Sequence, residues 1–270
     1  MPEVQINGTT IHYAHQGGGE PLVMIPFLTA DHACFAFQMP AYAEHFSCYA
    51  MDLRGSGDTE RGDFECTMGQ FVEDTAAFID SIGAKQVHLL GYSLGGAVAM
   101  SFAAAYPERV VSLGLHSTWP RSDRYLKTVV RSWQILAERL GDVRETAITA
   151  IFPWCFTPER YEQSDFIDGI VNFARSRPRQ NVADFLEHST AVIRHDVLDA
   201  LSNVSAPTLM TFGTEDVITS TRFLRPMTEA IPHAEVHLFE GCSHAPFLED
   251  VNAFNSRTVE FLRRASALGT

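Results

Sequence analysis

A short apolar run at residues 87–90 leads directly into Gly-Tyr-Ser-Leu-Gly-Gly at residues 91–96, and small apolar residues continue from there to Pro107. The apolar run is typical of a buried strand, and the small residues after it are typical of a helix that packs closely on a sheet. Gly91 and Gly95 allow a sharp turn between the two, which leaves Ser93 exposed at its tip. This stretch therefore predicts a strand, a tight turn and a helix, as found in sheets of parallel strands.

Other short apolar runs separated by helical patterns predict the rest of the sheet. Residues 4–6 and 11–13 alternate in polarity around Asn7-Gly8, a pair that accepts the positive φ of a two-residue turn, so we expect a β-hairpin there. Continuous apolar strands between helices predict a mostly parallel sheet that helices cover on both faces. The further apolar runs are residues 22–25, 48–51, 110–115, 208–212 and 235–239.

The strand pattern stops between residues 119 and 200, where aromatic side chains recur in helical segments. A chain of 270 residues can bury one large core. We therefore expect an α/β core built from residues 1–118 and 201–270, with residues 119–200 inserted as a helical cap.

The balance of charge argues against two classes of partner. The chain has 33 Asp and Glu against 20 Lys and Arg, a formal net charge of −13. Such a surface repels phosphate backbones and anionic lipid headgroups, so we expect neither a nucleic acid nor a membrane as partner. The five cysteines contain no CxxC pair, no secretory signal is apparent, and no apolar run reaches about 18 residues, which predicts a cytoplasmic chain.

Three residues have the order and context of a hydrolytic triad. A serine hydroxyl is a weak nucleophile and needs exposure, a neighbouring base and donors for the oxyanion that it forms. Ser93 lies at the predicted turn, Asp216 follows the strand at residues 208–212, and His244 follows the strand at residues 235–239. We predict that His244 accepts the Ser93 proton and that Asp216 orients the imidazole.

Each of these residues also has an ordinary structural explanation. Ser93 suits a helix N-cap, Asp216 suits a turn, and His244 is one of 11 histidines. Glu215 is a rival for the orienting acid. The order serine, acid, histidine along the chain favours the catalytic interpretation. No group of His, Cys or carboxylate residues has the spacing of metal ligands, so we predict no metal.

Four short motifs together resemble the α/β-hydrolase superfamily. They are Gly-Tyr-Ser-Leu-Gly-Gly at 91–96, Asp-Leu-Arg-Gly-Ser-Gly at 52–57, Gly-Thr-Glu-Asp at 213–216 and Gly-Cys-Ser-His at 241–244. The chain looks most similar to capped carboxylesterases and 3-oxoadipate enol-lactonase-like hydrolases. The resemblance implies the α/β-hydrolase fold, a mostly parallel twisted sheet with helices on both faces and an inserted helical cap. It also implies hydrolysis of esters or lactones without a cofactor.

The segment after the strand at residues 22–25 departs from the superfamily pattern. Members commonly carry His-Gly there, and the next residue supplies one oxyanion-hole amide, whereas this chain has Pro-Phe-Leu-Thr at residues 26–29. By position we assign the oxyanion hole to the backbone N–H groups of Leu28 and Leu94, with Phe27 as the alternative for the first. Pro26 has no N–H to donate.

Aromatic residues near the predicted strand ends and in the predicted cap are candidates for the substrate pocket, because ligand pockets are lined mainly by apolar and aromatic groups. Those that we expect to contact substrate are Phe27, Tyr92, Trp119 and Trp154.

Some polar residues near predicted strand ends have simpler explanations. His32, His116 and Arg121 suit packing or the surface as well as they suit substrate contact. Asp52 and Arg54 predict a strand-end turn locked by their ion pair rather than an anion site, because no phosphate-loop pattern surrounds them.

The sequence thus predicts a serine hydrolase, with neither cofactor nor metal, that cleaves a small apolar or aromatic carboxylic ester or lactone through an acyl-enzyme. A homo-oligomer is compatible with this prediction. Three alternatives use the same fold: a carbon–carbon bond hydrolase of the meta-cleavage type, a cofactor-free perhydrolase or haloperoxidase, and a ligand receptor with slow turnover.

Overall fold

Eight β-strands form one sheet in this computed structural model, which describes residues 2–268, with Leu268 described by its backbone alone. The strands are β1 (Glu3–Ile6), β2 (Thr9–Gly17), β3 (Pro21–Ile25), β4 (Ser47–Met51), β5 (Val87–Tyr92), β6 (Val110–His116), β7 (Thr208–Gly213) and β8 (Glu235–Phe239). Their order across the sheet is β1-β2-β4-β3-β5-β6-β7-β8. β2 pairs antiparallel with both β1 and β4, and all the other pairs are parallel.

The sheet confirms the predicted α/β fold class. Each predicted apolar run forms a strand, and the predicted hairpin forms with Ile6 opposite Thr9. Asn7 takes a positive φ of 42° in the hairpin turn, which asparagine tolerates better than most residues. The local signals in the sequence were therefore sufficient to identify the strands.

Helices connect most of the strands. The α-helices are α1 (Met39–Ala43), α2 (Met68–Ser81), α3 (Leu94–Ala105), α4 (Arg124–Leu140), α5 (Val143–Thr146), α6 (Phe152–Cys155), α7 (Pro158–Tyr161), α8 (Ser164–Ser176), α9 (Val182–Arg194), α10 (Leu224–Ala230), α11 (Pro246–Glu249) and α12 (Val251–Leu268). Short 3-10 helices occupy His32–Phe35, Pro107–Arg109, Leu198–Asn203 and Thr221–Phe223, and a π-helical turn occupies Ala147–Ile151. In the described part of the chain, no helix is both long enough and apolar enough to cross a membrane.

The sheet has an apolar core on each of its two faces. In β3, Val23 and Ile25 pack into one core, while Leu22 and Met24 pack into the other, because successive side chains of a strand point to opposite faces. Helices α2 and α3 contribute to the first core, and helices α1 and α12 contribute to the second. Both faces are therefore covered, as the continuous apolar strands predicted.

The segment between β6 and β7 contains α4 to α9, and its two ends are joined to each other. Ser122 N–H donates to the His195 carbonyl at 3.0 Å, and Val197 N–H donates to the Pro120 carbonyl at 2.9 Å. The chain therefore leaves and re-enters the α/β core through one two-stranded neck. The division of the chain at residues 119 and 200 stays a prediction.

Arg54 is fully buried and pairs with Asp74 of α2. The guanidinium Nε and Nη2 atoms donate to the two carboxylate oxygens at 2.5 and 2.7 Å, and Asn7 Nδ2 donates to the same carboxylate at 3.0 Å. The predicted pair of Asp52 with Arg54 is therefore wrong. Asp52 instead accepts hydrogen bonds from the backbone and the imidazole of His32. The planar guanidinium of Arg54 reaches both oxygens of Asp74, and such a bidentate pair is stronger than a single contact.

Replacing Asp74 by Ala should lower the free energy of unfolding by about 3–5 kcal/mol, because it leaves a buried guanidinium without its charge partner. Asp80→Ala in the same helix removes only the exposed pair with Arg109 and should cost at most about 1 kcal/mol. Urea unfolding followed by circular dichroism measures both changes. Equal losses in the two variants would contradict the stabilising role assigned to the buried pair.

Candidate active site

Ser93 lies at the turn from β5 into α3, in a backbone conformation that few residues other than glycine adopt. Its φ is 50° and its ψ is −112°, and its N–H donates to the His116 carbonyl at 2.9 Å. A Cβ atom at Gly91 would lie 2.1 Å from the Gly95 carbonyl oxygen, and one at Gly95 would lie 2.1 Å from the Ile25 carbonyl oxygen. Only glycine fits these two positions, so the packing of the turn holds Ser93 in its strained conformation.

His244, on the loop after β8, is hydrogen-bonded to Asp216, on the loop after β7. Its Nδ1 lies 3.0 Å from Asp216 Oδ2. The N–H groups of Ile218 and Thr219 donate to Asp216 Oδ1 at 2.8 and 3.0 Å, and the Thr219 hydroxyl donates to Oδ2 at 2.7 Å. Because an ionised carboxylate only accepts, Nδ1 carries the proton in this contact and Nε2 is the basic nitrogen.

The electrostatic environment keeps Asp216 ionised. Burial by itself raises the pKa of this carboxyl, but the charge of His244 and the hydrogen bonds from His244 and Thr219 outweigh burial and lower the pKa from 3.8 to about 2. The rival acid, Glu215, is exposed to solvent. The geometry thus separates the two adjacent carboxylates, since Asp216 is the one that faces the imidazole.

Ser93 and His244 line the same cavity, which has a volume of about 590 Å³. Within residues 2–268, no hydrogen bond joins the two side chains directly. Most of the wall is apolar, and it comes from the loop after β3, the segment between β6 and β7, and the region around α11. The aromatic residues of the wall are Phe27, Phe37, Tyr92, Phe152, Phe156, Phe166, Phe173 and Phe247. A cavity of this size and lining suits a small apolar ligand.

The polar part of the cavity wall includes an ion pair and a further arginine. Arg177 Nε donates to Asp31 Oδ2 at 2.9 Å, and the Arg144 guanidinium donates to the Arg177 carbonyl.

Asp31, His32 and Asp52 have potential metal-ligand atoms within 4.8 Å of one another. These atoms already have protein partners, since His32 Nδ1 lies 2.7 Å from Asp52 Oδ1 and Arg177 pairs with Asp31.

The two amides predicted for the oxyanion hole have no hydrogen-bond acceptor within residues 2–268. Leu94 is the first residue of α3, where helices leave N–H groups unpaired, and Leu28 lines a small second cavity together with His244. Phe27, whose N–H is the alternative donor, lines both the main cavity and this smaller one.

Three of the four aromatic residues predicted to contact substrate lie near the serine. Phe27 and Tyr92 line the main cavity, where the Tyr92 ring centroid lies 4.3 Å from that of Phe247. Trp119 lines the smaller cavity, which also includes Ser93.

The structure does not bring Trp154 to either of these cavities. Its side chain lies in a separate surface pocket between α4 and α6, together with Trp133 and Pro153. Residues three and four apart share a helix face, so the face of α6 that turns Phe152 and Cys155 toward the main cavity turns Trp154 outward.

The other polar residues at the strand ends are engaged in packing or surface contacts. His32 bonds to Asp52, and Arg121 forms an exposed ion pair with Asp196. His116 is buried with its Nδ1 2.8 Å from Thr211 Oγ1, and burial lowers the pKa of its imidazole to about 3.

Sequence reasoning missed Thr219 and the two arginines of the cavity wall. Asp216 and Thr219 are spaced as residues whose side chains close a local turn, a signal that would have predicted their contact. Arg144 and Arg177 had no such signal, because their position depends on how the helices between β6 and β7 pack.

A family model described as the alpha/beta hydrolase fold matches residues 20–251, a range that includes Ser93, Asp216 and His244. The chain therefore belongs to the alpha/beta hydrolase family.

Proteins that are similar to this chain have several activities. A cis-3-alkyl-4-alkyloxetan-2-one decarboxylase of Shewanella oneidensis is 26% identical over 91% of this chain and 82% of its own length. A pimeloyl-acyl-carrier-protein methyl ester esterase of Aeromonas hydrophila is 27% identical over 88% of this chain and 93% of its own length. The crystal structure of the enol-lactonase from Burkholderia xenovorans LB400 has a TM-score of 0.87 at 23% identity, covering 97% of this chain and 100% of that one.

Asp216→Asn should lower the free energy of unfolding at neutral pH. The pKa of Asp216 falls from 3.8 to about 2 on folding, so its ionised form stabilises the fold by about 2 kcal/mol. This contribution is fully present above the unfolded value of 3.8 and is lost as the pH falls through the folded value of about 2. Urea unfolding at neutral pH and below pH 3 measures the difference between wild type and variant.

The matched control for this prediction is Glu215→Gln, which changes the exposed neighbour and should leave the free energy of unfolding nearly unchanged at both pH values. A difference between wild type and Asp216→Asn that stays constant down to the lowest pH would contradict the prediction.

Proposed function

We propose that this chain is a serine hydrolase that cleaves small apolar or aromatic carboxylic esters or lactones through an acyl-enzyme intermediate. The observation that carries the proposal is the His244–Asp216 hydrogen bond beside a cavity that also contains Ser93. An oriented imidazole with a free Nε2 is the base that a serine nucleophile requires. The strained turn at Ser93 and the two unpaired amides add support.

In the proposed mechanism, Ser93 Oγ attacks the carbonyl carbon while His244 Nε2 accepts the hydroxyl proton. Asp216 holds Nδ1–H and stabilises the imidazolium that forms. The N–H groups of Leu28 and Leu94 donate to the oxygen on which negative charge develops. When the tetrahedral intermediate collapses, the bond to the leaving oxygen breaks and His244 returns its proton to that oxygen.

Water then attacks the acyl-enzyme by the same route. His244 takes a proton from the water, the second tetrahedral intermediate collapses, and Ser93 recovers its proton as the carboxylic acid leaves. With an ester, the alcohol departs in the first half of the reaction. With a lactone, the leaving oxygen stays attached to the acyl group, so a single hydroxy acid departs at the end.

We propose that residues 119–200 act as a cap that selects the substrate. The largely apolar wall to which this segment contributes favours apolar or aromatic acyl groups. Leu28 is preferred to Phe27 as an oxyanion donor because of its position in the segment that follows β3.

Ser93→Ala should lower kcat/KM for p-nitrophenyl esters by at least about 10³-fold without changing the fold, because it removes the nucleophile. Intact-protein mass spectrometry after exposure to a fluorophosphonate should show one covalent adduct on the wild type and none on Ser93→Ala. Circular dichroism checks that the variant is folded. Ester turnover in the variant close to that of the wild type would rule out the proposed nucleophile.

The same assay separates the two neighbouring acids. Asp216→Asn should lower kcat by orders of magnitude, on the order of 10⁴-fold in the best-studied serine hydrolases, because it favours the wrong imidazole tautomer. Glu215→Gln should retain most of the activity. The reverse result would reassign the orienting acid.

Other outcomes point to the alternative functions on this fold. Labelling of Ser93 without ester turnover would favour a ligand receptor with slow turnover. Labelling together with cleavage of a carbon–carbon bond, but not of esters, would favour a hydrolase of the meta-cleavage type.

A further inference from the structure

Glu249 is a buried carboxylate for which the proposed reaction has no use. Only 3% of the residue is exposed. Its Oε2 accepts the Ser243 backbone N–H at 2.5 Å, and its Oε1 accepts the Thr157 backbone N–H at 2.9 Å. Ser243 directly precedes His244, whereas Thr157 belongs to the segment between β6 and β7. One side chain thus joins the loop of the proposed base to that segment.

Two further hydrogen bonds join the same two pieces of chain. Ala245 N–H donates to the Cys155 carbonyl at 3.1 Å, and the Ser243 hydroxyl donates to the Trp154 carbonyl at 3.3 Å. Both neighbours of His244 in the sequence are therefore tied to residues 154–157. Asp216 orients the imidazole of His244, whereas residues 154–157 hold the backbone on both sides of His244.

A carboxylate suits this place better than a neutral side chain does. It offers only acceptors, and it receives one N–H on each oxygen, whereas the amide group of glutamine would direct its own N–H groups at one of the two donors. Burial raises the pKa of Glu249, and the hydrogen bonds from Thr157 and Ser243 oppose that rise. Hydrogen bonds to a charged acceptor are roughly twice as strong as those between neutral groups.

We propose that Glu249 is a positioning residue, which sets the place of His244 by clamping the histidine loop to the helical segment at Thr157. The inference rests on the proposed function, because it concerns the base of that reaction. Displacing a catalytic group by about 1 Å can cost on the order of 10²-fold in rate, so a clamp on the backbone beside the base affects the chemical step directly.

A positioning role and a merely structural role give different results. Loss of a structural contact lowers the melting temperature but leaves kcat unchanged while the protein is folded. Loss of a positioning contact lowers kcat and the rate of covalent labelling at Ser93, and it leaves KM nearly unchanged because the cavity wall is intact.

Glu249→Ala removes both acceptors and should lower kcat and the fluorophosphonate labelling rate by about 10- to 100-fold, with KM within about threefold of the wild type. Glu249→Gln keeps one acceptor and should show a smaller loss. Measurements are made well below the melting temperature of each variant. The glutamine variant keeps the test available if the alanine variant does not fold.

A second pair of variants tests the Thr157 side of the clamp without touching Glu249. Thr157 has φ −67°, and Phe156 before it has φ −124° and ψ 152°, so both positions accept a proline at residue 157. Thr157→Pro deletes the N–H that donates to Glu249, whereas the control Thr157→Ala keeps it. The proline variant should lose about tenfold in kcat relative to the alanine variant.

The outcomes separate this inference from the proposed function. If the wild type reacts at Ser93 and the Glu249 variants fold and react at the wild-type rate, the clamp alone is overturned. Losses confined to melting temperature would also overturn it. Wild-type protein that neither reacts with the fluorophosphonate nor turns over esters would overturn both. Combining Glu249→Ala with Thr157→Pro should lower kcat no more than combining Glu249→Ala with Thr157→Ala, since the hydrogen bond that the proline deletes is already lost with Glu249.

Discussion

The site depends on one constraint, that parallel strands end at the same edge of the sheet. β5, β7 and β8 carry Ser93, Asp216 and His244 in the loops that follow them. β6 lies between β5 and β7, and its end is hydrogen-bonded to both neighbours. Ser93 N–H donates to the His116 carbonyl at 2.9 Å, and Ser117 N–H donates to the Thr211 carbonyl at 2.8 Å. The backbone ladder therefore fixes the distance between loops that are far apart in sequence.

Much of this arrangement could be predicted from the sequence, because it is encoded locally. A buried apolar run and the glycines of the turn were enough to place Ser93, and strands ending in polar loops were enough to place Asp216 and His244. Contacts between distant elements could not be predicted in the same way. The partner of Arg54 is Asp74 of α2, a residue 20 positions away in the sequence. Trp154 lies outside the main cavity because the packing of α6 decides which face of this short helix meets the cavity.

The buried carboxylates show how neighbours decide ionisation. Asp216 and Asp52 are both inaccessible and both bond to a histidine, yet folding lowers the pKa of the first and raises that of the second. Burial is the largest single effect on both carboxyls, and at Asp52 the nearby charge of Asp31 adds to it. At Asp216, the electrostatic attraction of His244 and the hydrogen bonds from His244 and Thr219 together outweigh the effect of burial on the pKa. The carboxylate that contacts His244 thus stays ionised to lower pH than the carboxylate of Asp52 does.

The hydrogen bonds Ser122–His195 and Val197–Pro120 form a neck, so that the chain enters and leaves the helical segment at one place beside the sheet. Residues can be gained or lost beyond the neck without altering the order or register of any strand, and lengthening a closed segment costs little entropy. The wall of the cavity can thus change in one part of the gene while the loops that carry Ser93, Asp216 and His244 stay constant in another. The proposed Glu249 clamp limits such changes in the segment, because a replacement segment must still present an N–H where Thr157 now lies.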